Sequence, residues 1–354
     1  MCDRRWPSGP KRCAPWYRRR CGTNAVSIPP NTRSPAVNGP HIPALDPDAA
    51  ARVASFGAST PIRERGLDVV RAALESAPLP PDMAEMADII DAEAAGPGGA
   101  IALRIYRPHS GEQRSPVIVH LHGGGLVMGS NRSFEPMARA MAAASGAVVV
   151  AVDYRLAPEN PPPAQFEDAM AAIEWTAAHA ADLQLEPRRL VVSGDSAGGG
   201  VAAAVAVAVR DHGGPPIFAQ LLMYPGVDRD MAANSVLRLA DAPMLTHDDI
   251  VYLHELADLG AGSPHDVRRV PAYATDLRGL PQAIVVTAEL DPITDWGERY
   301  AGRLRDAGVQ TTITRYPGIY HGFLMRPEAT ARGRLAMAEI GALLRAKFAH
   351  PMPF

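Results

Sequence analysis

The stretch Val191-Val192-Ser193-Gly194-Asp195-Ser196-Ala197-Gly198-Gly199-Gly200 decides the fold. An apolar run with strand character precedes Ser196 and an Ala/Val-rich segment with helical character follows it, which places the serine on a sharp strand-to-helix turn. Such a turn holds its central residue in strained backbone geometry, and only Gly or Ala on either side clears the adjacent strand and helix. The hydroxyl is then exposed at the C-terminal edge of a sheet. The following helix presents free N–H groups there, which favour negative charge. Gly-x-Ser-x-Gly alone is a weak signal in a chain with 31 glycines. The competing reading is a Gly-rich turn with an incidental serine, and the flanking strand and helix weigh against it.

Outward from this turn the chain alternates strand, turn and helix. Strands are expected at 101–106, 116–122, 147–153, 189–193, 218–224, 283–288 and 310–316. Helices are expected at 133–145, 164–181, 197–210, 294–307 and 328–347, with helical apolar spacing also at 47–76. Several strands are continuous apolar runs, as expected when both faces of a sheet are covered. The alternation predicts an α/β architecture, with a mostly parallel central sheet and helices on both faces. Between Tyr224 and Ala283 the rhythm breaks for about sixty residues, too long for a plain loop. Residues 226–270, together with 41–80, are therefore expected to form a helical cap. Its apolar positions Met231, Leu237, Met244, Leu245, Tyr252 and Leu256 are expected to face the sheet domain or line a pocket, along with Leu126 and Met128.

Two further segments complete a chemistry. His122-Gly123-Gly124-Gly125 follows a predicted strand, and a run of glycines lets backbone N–H groups approach a developing oxyanion without side chains. No Lys-Ser/Thr follows, so a phosphate-binding loop is disfavoured. His120 and His122 raise a metal alternative, but no partner motif with ligand spacing accompanies them, and no metal or cofactor is expected. Two strands beyond Ser196 comes Asp291, within Glu289-Leu290-Asp291-Pro292, and one strand further comes His321, within Tyr320-His321-Gly322-Phe323. The order serine, acid, histidine, each just after a strand, is that of the α/β-hydrolase triad. Ser196 is then the nucleophile and His321 its base, with Asp291 orienting the imidazole. Asp291 is preferred over Asp295, which falls inside the next helix. Activity is expected to need no metal and to decline in acid, because only neutral imidazole accepts the serine proton.

With these motifs in place, residues 45–345 resemble the hormone-sensitive-lipase family of bacterial esterases. The likeness rests on HGGG at 122–125, DYRLAPENPPPA at 153–164, GDSAGG at 194–199, DP at 291–292 and HGF at 321–323. It implies the α/β-hydrolase fold with a helical cap, and a carboxylesterase cleaving short to medium acyl esters through an acyl-enzyme. It also implies an oxyanion hole from the N–H groups of Gly123, Gly124 and Ala197. Asp153, Tyr154 and Arg155 are implied as support beneath the Gly-rich loop. Gly200 stands where many relatives carry Asn, and Pro162 replaces a commonly aromatic residue; both bear on substrate preference. Amidases, formamidases and deacetylases of secondary metabolites share the triad. Receptors that have lost catalysis share the fold, but retention of both Ser196 and His321 counts against that class.

Composition agrees. Apolar residues make up 47% of 354 and charged residues 21%, with a net charge of −3, as for a soluble globular protein without a nucleic-acid partner. Residues 1–40 hold eight Lys/Arg, one acid and all three cysteines (Cys2, Cys13 and Cys21), and are expected to be a basic disordered arm. The hydrolase domain is expected at 41–354, without disulfides. No secretory or membrane-spanning segment is read, so the expectation is a cytoplasmic enzyme with a small-molecule ester substrate. A homodimer is compatible with the sequence but not specified by it.

Overall fold

A computed structural model describes residues 42–57, 60–109 and 112–352. The arm at 1–40 lies outside the described residues. The centre is an eight-stranded sheet: β1 (Asp88–Gly96), β2 (Gly99–Arg107), β3 (Ser115–Leu121), β4 (Val148–Asp153), β5 (Leu185–Asp195), β6 (Ala219–Met223), β7 (Gln282–Leu290) and β8 (Thr311–Tyr320). The spatial order is β1-β2-β4-β3-β5-β6-β7-β8. The hairpin β1–β2 and the pair β2–β4 are antiparallel, and β3 to β8 pair in parallel.

Helices cover both faces because the parallel strands are apolar on both. On one side α5 (Ala164–Ala178) and α6 (Ala197–His212) pack on β3, and α9 (Thr294–Asp306) on β7 and β8, in the core that holds Val117, Val119 and Leu121. On the other, α4 (Glu135–Ser145) and α10 (Ala331–Ala349) pack on Ile118 and Val149. Alternate residues of β3 thus point to opposite cores, as strand geometry requires.

One strand has no counterpart among those expected from the sequence. β1 is an edge strand, Asp-Ile-Ile-Asp-Ala-Glu-Ala-Ala-Gly, with only Ala94 fully buried. An edge strand facing water lacks the continuous apolar run by which the inner strands announce themselves.

The segment before Pro78 forms α1 (Pro47–Ser55), α2 (Ile62–Arg65) and α3 (Leu67–Ser76), and the insertion forms α7 (Asn234–Arg238) and α8 (His247–Asp258). These helices divide in two. α1 sits against β8 and α10: Asp46 N–H donates to Gly318 O (2.7 Å), and Arg332 pairs with Asp46 (2.8 Å). α2 instead meets α8, where Ile62 N–H donates to Asp249 Oδ1 (2.9 Å) and Arg63 pairs with Glu255 (2.6 Å). Thr246 and Asp249 close a capping box that starts α8. Two of the apolar positions expected to be covered are not: Leu237 and Met244 are 62% and 47% exposed. Leu237 lies on a five-residue helix with one buried side, and Met244 on a turn with φ 71°. Met128 packs with Val70, Val127 and Ala257, not in the cavity described below.

Backbone packs closely at the serine turn. A Cβ on Gly198 would collide with the backbone carbonyls of Leu121, the last residue of β3, and of His122 just after it, which cannot swing away as a side chain can. Gly198→Ala would gain about 1 kcal/mol of helix propensity, against an overpacking penalty of about 1–3 kcal/mol. Rigid backbone tips the balance, and the variant should unfold at lower denaturant concentration. An unchanged midpoint would mean that β3 yields.

Candidate active site

Ser196 joins β5 to α6 with φ 51° and ψ −122°, a conformation that side-chain-bearing residues rarely adopt. The strain is held from both sides. Its N–H donates to Met223 O (2.9 Å), and its carbonyl accepts from Gly226 N–H (2.7 Å), fastening the turn to the end of β6.

The ends of β7 and β8 bring two more groups to this point. His321 Nε2 lies 2.8 Å from Ser196 Oγ, and His321 Nδ1 lies 2.8 Å from Asp291 Oδ2. Asp291 is fully buried, and its other oxygen accepts Ile293 N–H (2.9 Å), so both carboxylate oxygens are oriented. Asp295, in the first turn of α9, is used elsewhere: its Oδ2 accepts Ser235 N–H (2.9 Å), tying the insertion to that helix.

Two supports of His321 are not among the residues that the sequence singles out. Tyr224, at φ 35°, sets its ring edge-on to the imidazole, centroids 5.0 Å apart, and burial pushes its phenol well above the ordinary range. Glu289 accepts Gly318 N–H (3.0 Å), bracing the end of β8 before His321. The one signal for Tyr224 is its place at the end of a predicted strand, in Leu222-Met223-Tyr224-Pro225-Gly226.

The Gly-rich loop differs in one detail from the expectation. Gly123 N–H already donates to Asp195 Oδ1 (2.8 Å), so it is committed within the protein. Among the described residues no protein acceptor pairs with the N–H of Gly124, Gly125 or Ala197. Gly125, not Gly123, lines the same cavity as Ser196 and Ala197. Asp195, two per cent exposed, is pushed up to about 7 by burial, against the pull of His321 and of Gly123 N–H.

His120 and His122 are both buried. Desolvation holds His120 down to about 3 and His122 down to about 4, so both imidazoles are neutral. The 3.6 Å approach of His120 to Asp195 is accordingly not an ion pair. His122 stacks on Tyr154, 4.3 Å between centroids, and the Tyr154 hydroxyl donates to His122 O (2.6 Å). Asp153 accepts Asn131 N–H (2.5 Å), and Arg155 grips Asp168 of α5. Tyr154 and Asp153 therefore hold the Gly-rich loop and its continuation, while Arg155 holds a helix.

A cavity of about 80 Å³ opens beside Ser196, several times the ~10–15 Å³ that a single water needs. Its walls are largely apolar, with Leu126, Phe166 and Trp296 from the sheet domain. α8 adds Ile250, Leu253, His254 and Ala257, one face of a helix by their spacing. Leu245 also lines it, as expected; Tyr252 lies under Arg63 instead, and Leu256 packs with Val127 and Met128.

The family described by its α/β-hydrolase fold matches residues 118–325, more than half of the chain. The chain belongs to the α/β-hydrolase family of serine carboxylic-ester hydrolases. The carboxylesterase NlhH of Mycobacterium tuberculosis is 40% identical over 285 residues, covering 77% of this chain and 89% of its own. Esterase LipI of the same organism is 38% identical, covering 77% and 88%. Among solved structures, the ester-hydrolase EH1AB1 from the metagenome of Lake Arreo superposes with a TM-score of 0.80 at 33% identity, covering 86% of this chain and 99% of its own. In this hydrolase, among the described residues, no helix is long and apolar enough to cross a membrane.

Proposed function

We propose that this hydrolase cleaves short to medium acyl esters by acyl transfer to Ser196, with His321 as base and Asp291 as its orienting acid. The observation that carries the reading is the unbroken chain of hydrogen bonds Ser196–His321–Asp291, with two steps of 2.8 Å. His321 Nε2 takes the Ser196 proton as Oγ attacks the ester carbonyl carbon. The C–O bond to the alcohol then breaks, and His321 returns the proton to the leaving oxygen. Water repeats the attack on the acyl-enzyme with His321 again as base, and the free acid departs.

The oxyanion is assigned to the N–H groups of Gly124, Gly125 and Ala197. Gly125 takes the role first expected of Gly123, whose donor Asp195 occupies. Asp195 thus shapes the oxyanion loop from behind. α2 and α8 with the rest of 226–270 are assigned to a cap that limits the length of the bound chain. α1 is left out of it, because it packs on β8 and α10.

An apolar pocket of this size sets the expected profile. Each buried methylene adds about 0.8 kcal/mol, roughly fourfold in kcat/KM. Activity on p-nitrophenyl esters should climb with acyl length and fall once the chain meets the cap, with EDTA without effect. A preference for long-chain emulsions with activation at the oil–water interface would overturn the closed-cap reading.

A further inference from the structure

The cavity beside Ser196 is lined mostly by apolar residues, but one part of its lining is charged. Arg229, Arg268 and Arg269 line it there with His254, against a single carboxylate, Asp228. Arg268 is paired bidentately with Asp266, through Nε and Nη2. Arg229 and Arg269 are held differently: Arg229 is bonded through Nη1 alone, and Arg269, whose Nη1 donates to the carbonyls of Gly262 (2.8 Å) and Ser263 (2.9 Å), is left with Nε unpaired. They share one carboxylate, Arg229 Nη1 bonding Asp258 Oδ2 (2.6 Å) and Arg269 Nη2 bonding Oδ1. Arg299 bridges Asp228 and Asp230, so the whole network balances, four arginines to four acids. The balance is lopsided in space. Asp258 and Asp266 pair from outside and do not line the cavity, and the Asp258 side chain is 43% exposed.

The side of the network that faces the cavity is therefore cationic, and it has donors to spare. Arg229 Nε and Nη2 and Arg269 Nε find no acceptor among the described residues, although the Arg269 side chain is only 3% exposed. A buried guanidinium short of acceptors is destabilising, and an anion at this wall supplies the missing partner. His254 reports the same field: burial, and next Arg229, push it down to about 4, leaving a neutral imidazole stacked on Trp296.

Resting on the reading of Ser196 as nucleophile, we infer that this wall binds a carboxylate carried by the substrate. The favoured substrate class is an ester with one free carboxylate remote from the scissile bond, such as a half-ester of a dicarboxylic acid. In an apolar pocket such a charge would be excluded; between Arg229 and Arg269 it is paired and hydrogen-bonded.

The test uses the full chain and the monomethyl esters of succinate, glutarate and adipate. Each is compared with the neutral ester in which methyl replaces carboxylate: methyl butanoate, pentanoate and hexanoate. Hydrolysis is followed by acid release at constant pH. For at least one length the half-ester should exceed its neutral partner in kcat/KM by about tenfold, and Arg229→Gln and Arg269→Gln should each lower that ratio by about tenfold. Because both substrates are measured on one preparation, the ratio does not depend on how much of a variant folds. Neutral partners faster at every length, or a ratio unmoved in both variants, would overturn the inference. Hydrolysis of neutral esters that survives Ser196→Ala would instead overturn the nucleophile assignment beneath it.

Discussion

Ser196→Ala should abolish ester hydrolysis while leaving the fold in place. Loss of the nucleophile from a Ser-His-Asp unit costs on the order of 10⁶ in turnover, because the histidine then has no hydroxyl to activate. The alanine keeps the Cβ that the turn already accommodates, and the bonds that hold the turn, Ser196 N–H to Met223 and Gly226 N–H to the Ser196 carbonyl, are backbone bonds. Circular dichroism and the melting temperature should therefore match the parent. A folded variant with more than a few per cent of the parent rate would show that another group attacks the ester. A fluorophosphonate probe gives an independent reading: it should label the parent and not the variant, since only an activated serine reacts.

The second large effect separates two aspartates four residues apart. Asp291→Asn replaces the acceptor of the His321 Nδ1 proton by a group that can present N–H there, favouring the wrong imidazole tautomer. A loss of about 10⁴ in kcat is expected from that change in a triad of this kind. Asp295→Asn leaves His321 untouched. It alters the acceptor of Ser235 N–H, for which the asparagine carbonyl can substitute, and removes one carboxylate from the field at Arg315. Its expected effect is within about a factor of ten in kcat and about 1 kcal/mol in stability. The comparison is decided by rank: a greater loss of turnover in Asp295→Asn than in Asp291→Asn would reverse the assignment.

Much of the molecule is legible in the amino-acid sequence. The inner strands show as apolar runs because both faces are covered, and the helices between them show by their spacing. The serine turn is legible because backbone atoms of the neighbouring strand exclude any Cβ at Gly198. Such steric exclusion writes itself directly into residue choice. Asp291 and His321 are legible by their order and by their places just after strands. β1 is not, since an edge strand half in water has no obligatory pattern.

What the sequence determined by itself, then, was the inner strands, the helices between them and the candidate residues at their ends, because those follow from local periodicity and close backbone packing. Tertiary structure alone decided which atoms meet. Strand order places β3 between β4 and β5, so that the Gly-rich loop arrives beside the serine turn. There Asp195 takes Gly123 N–H and shifts the free donors one residue along. The ring of Tyr224 against His321, and the sharing of Asp258 by Arg229 and Arg269, join residues 97 and 40 positions apart. Contacts of that range leave no periodic trace, because their geometry depends on how whole elements are stacked and not on any neighbour in the chain.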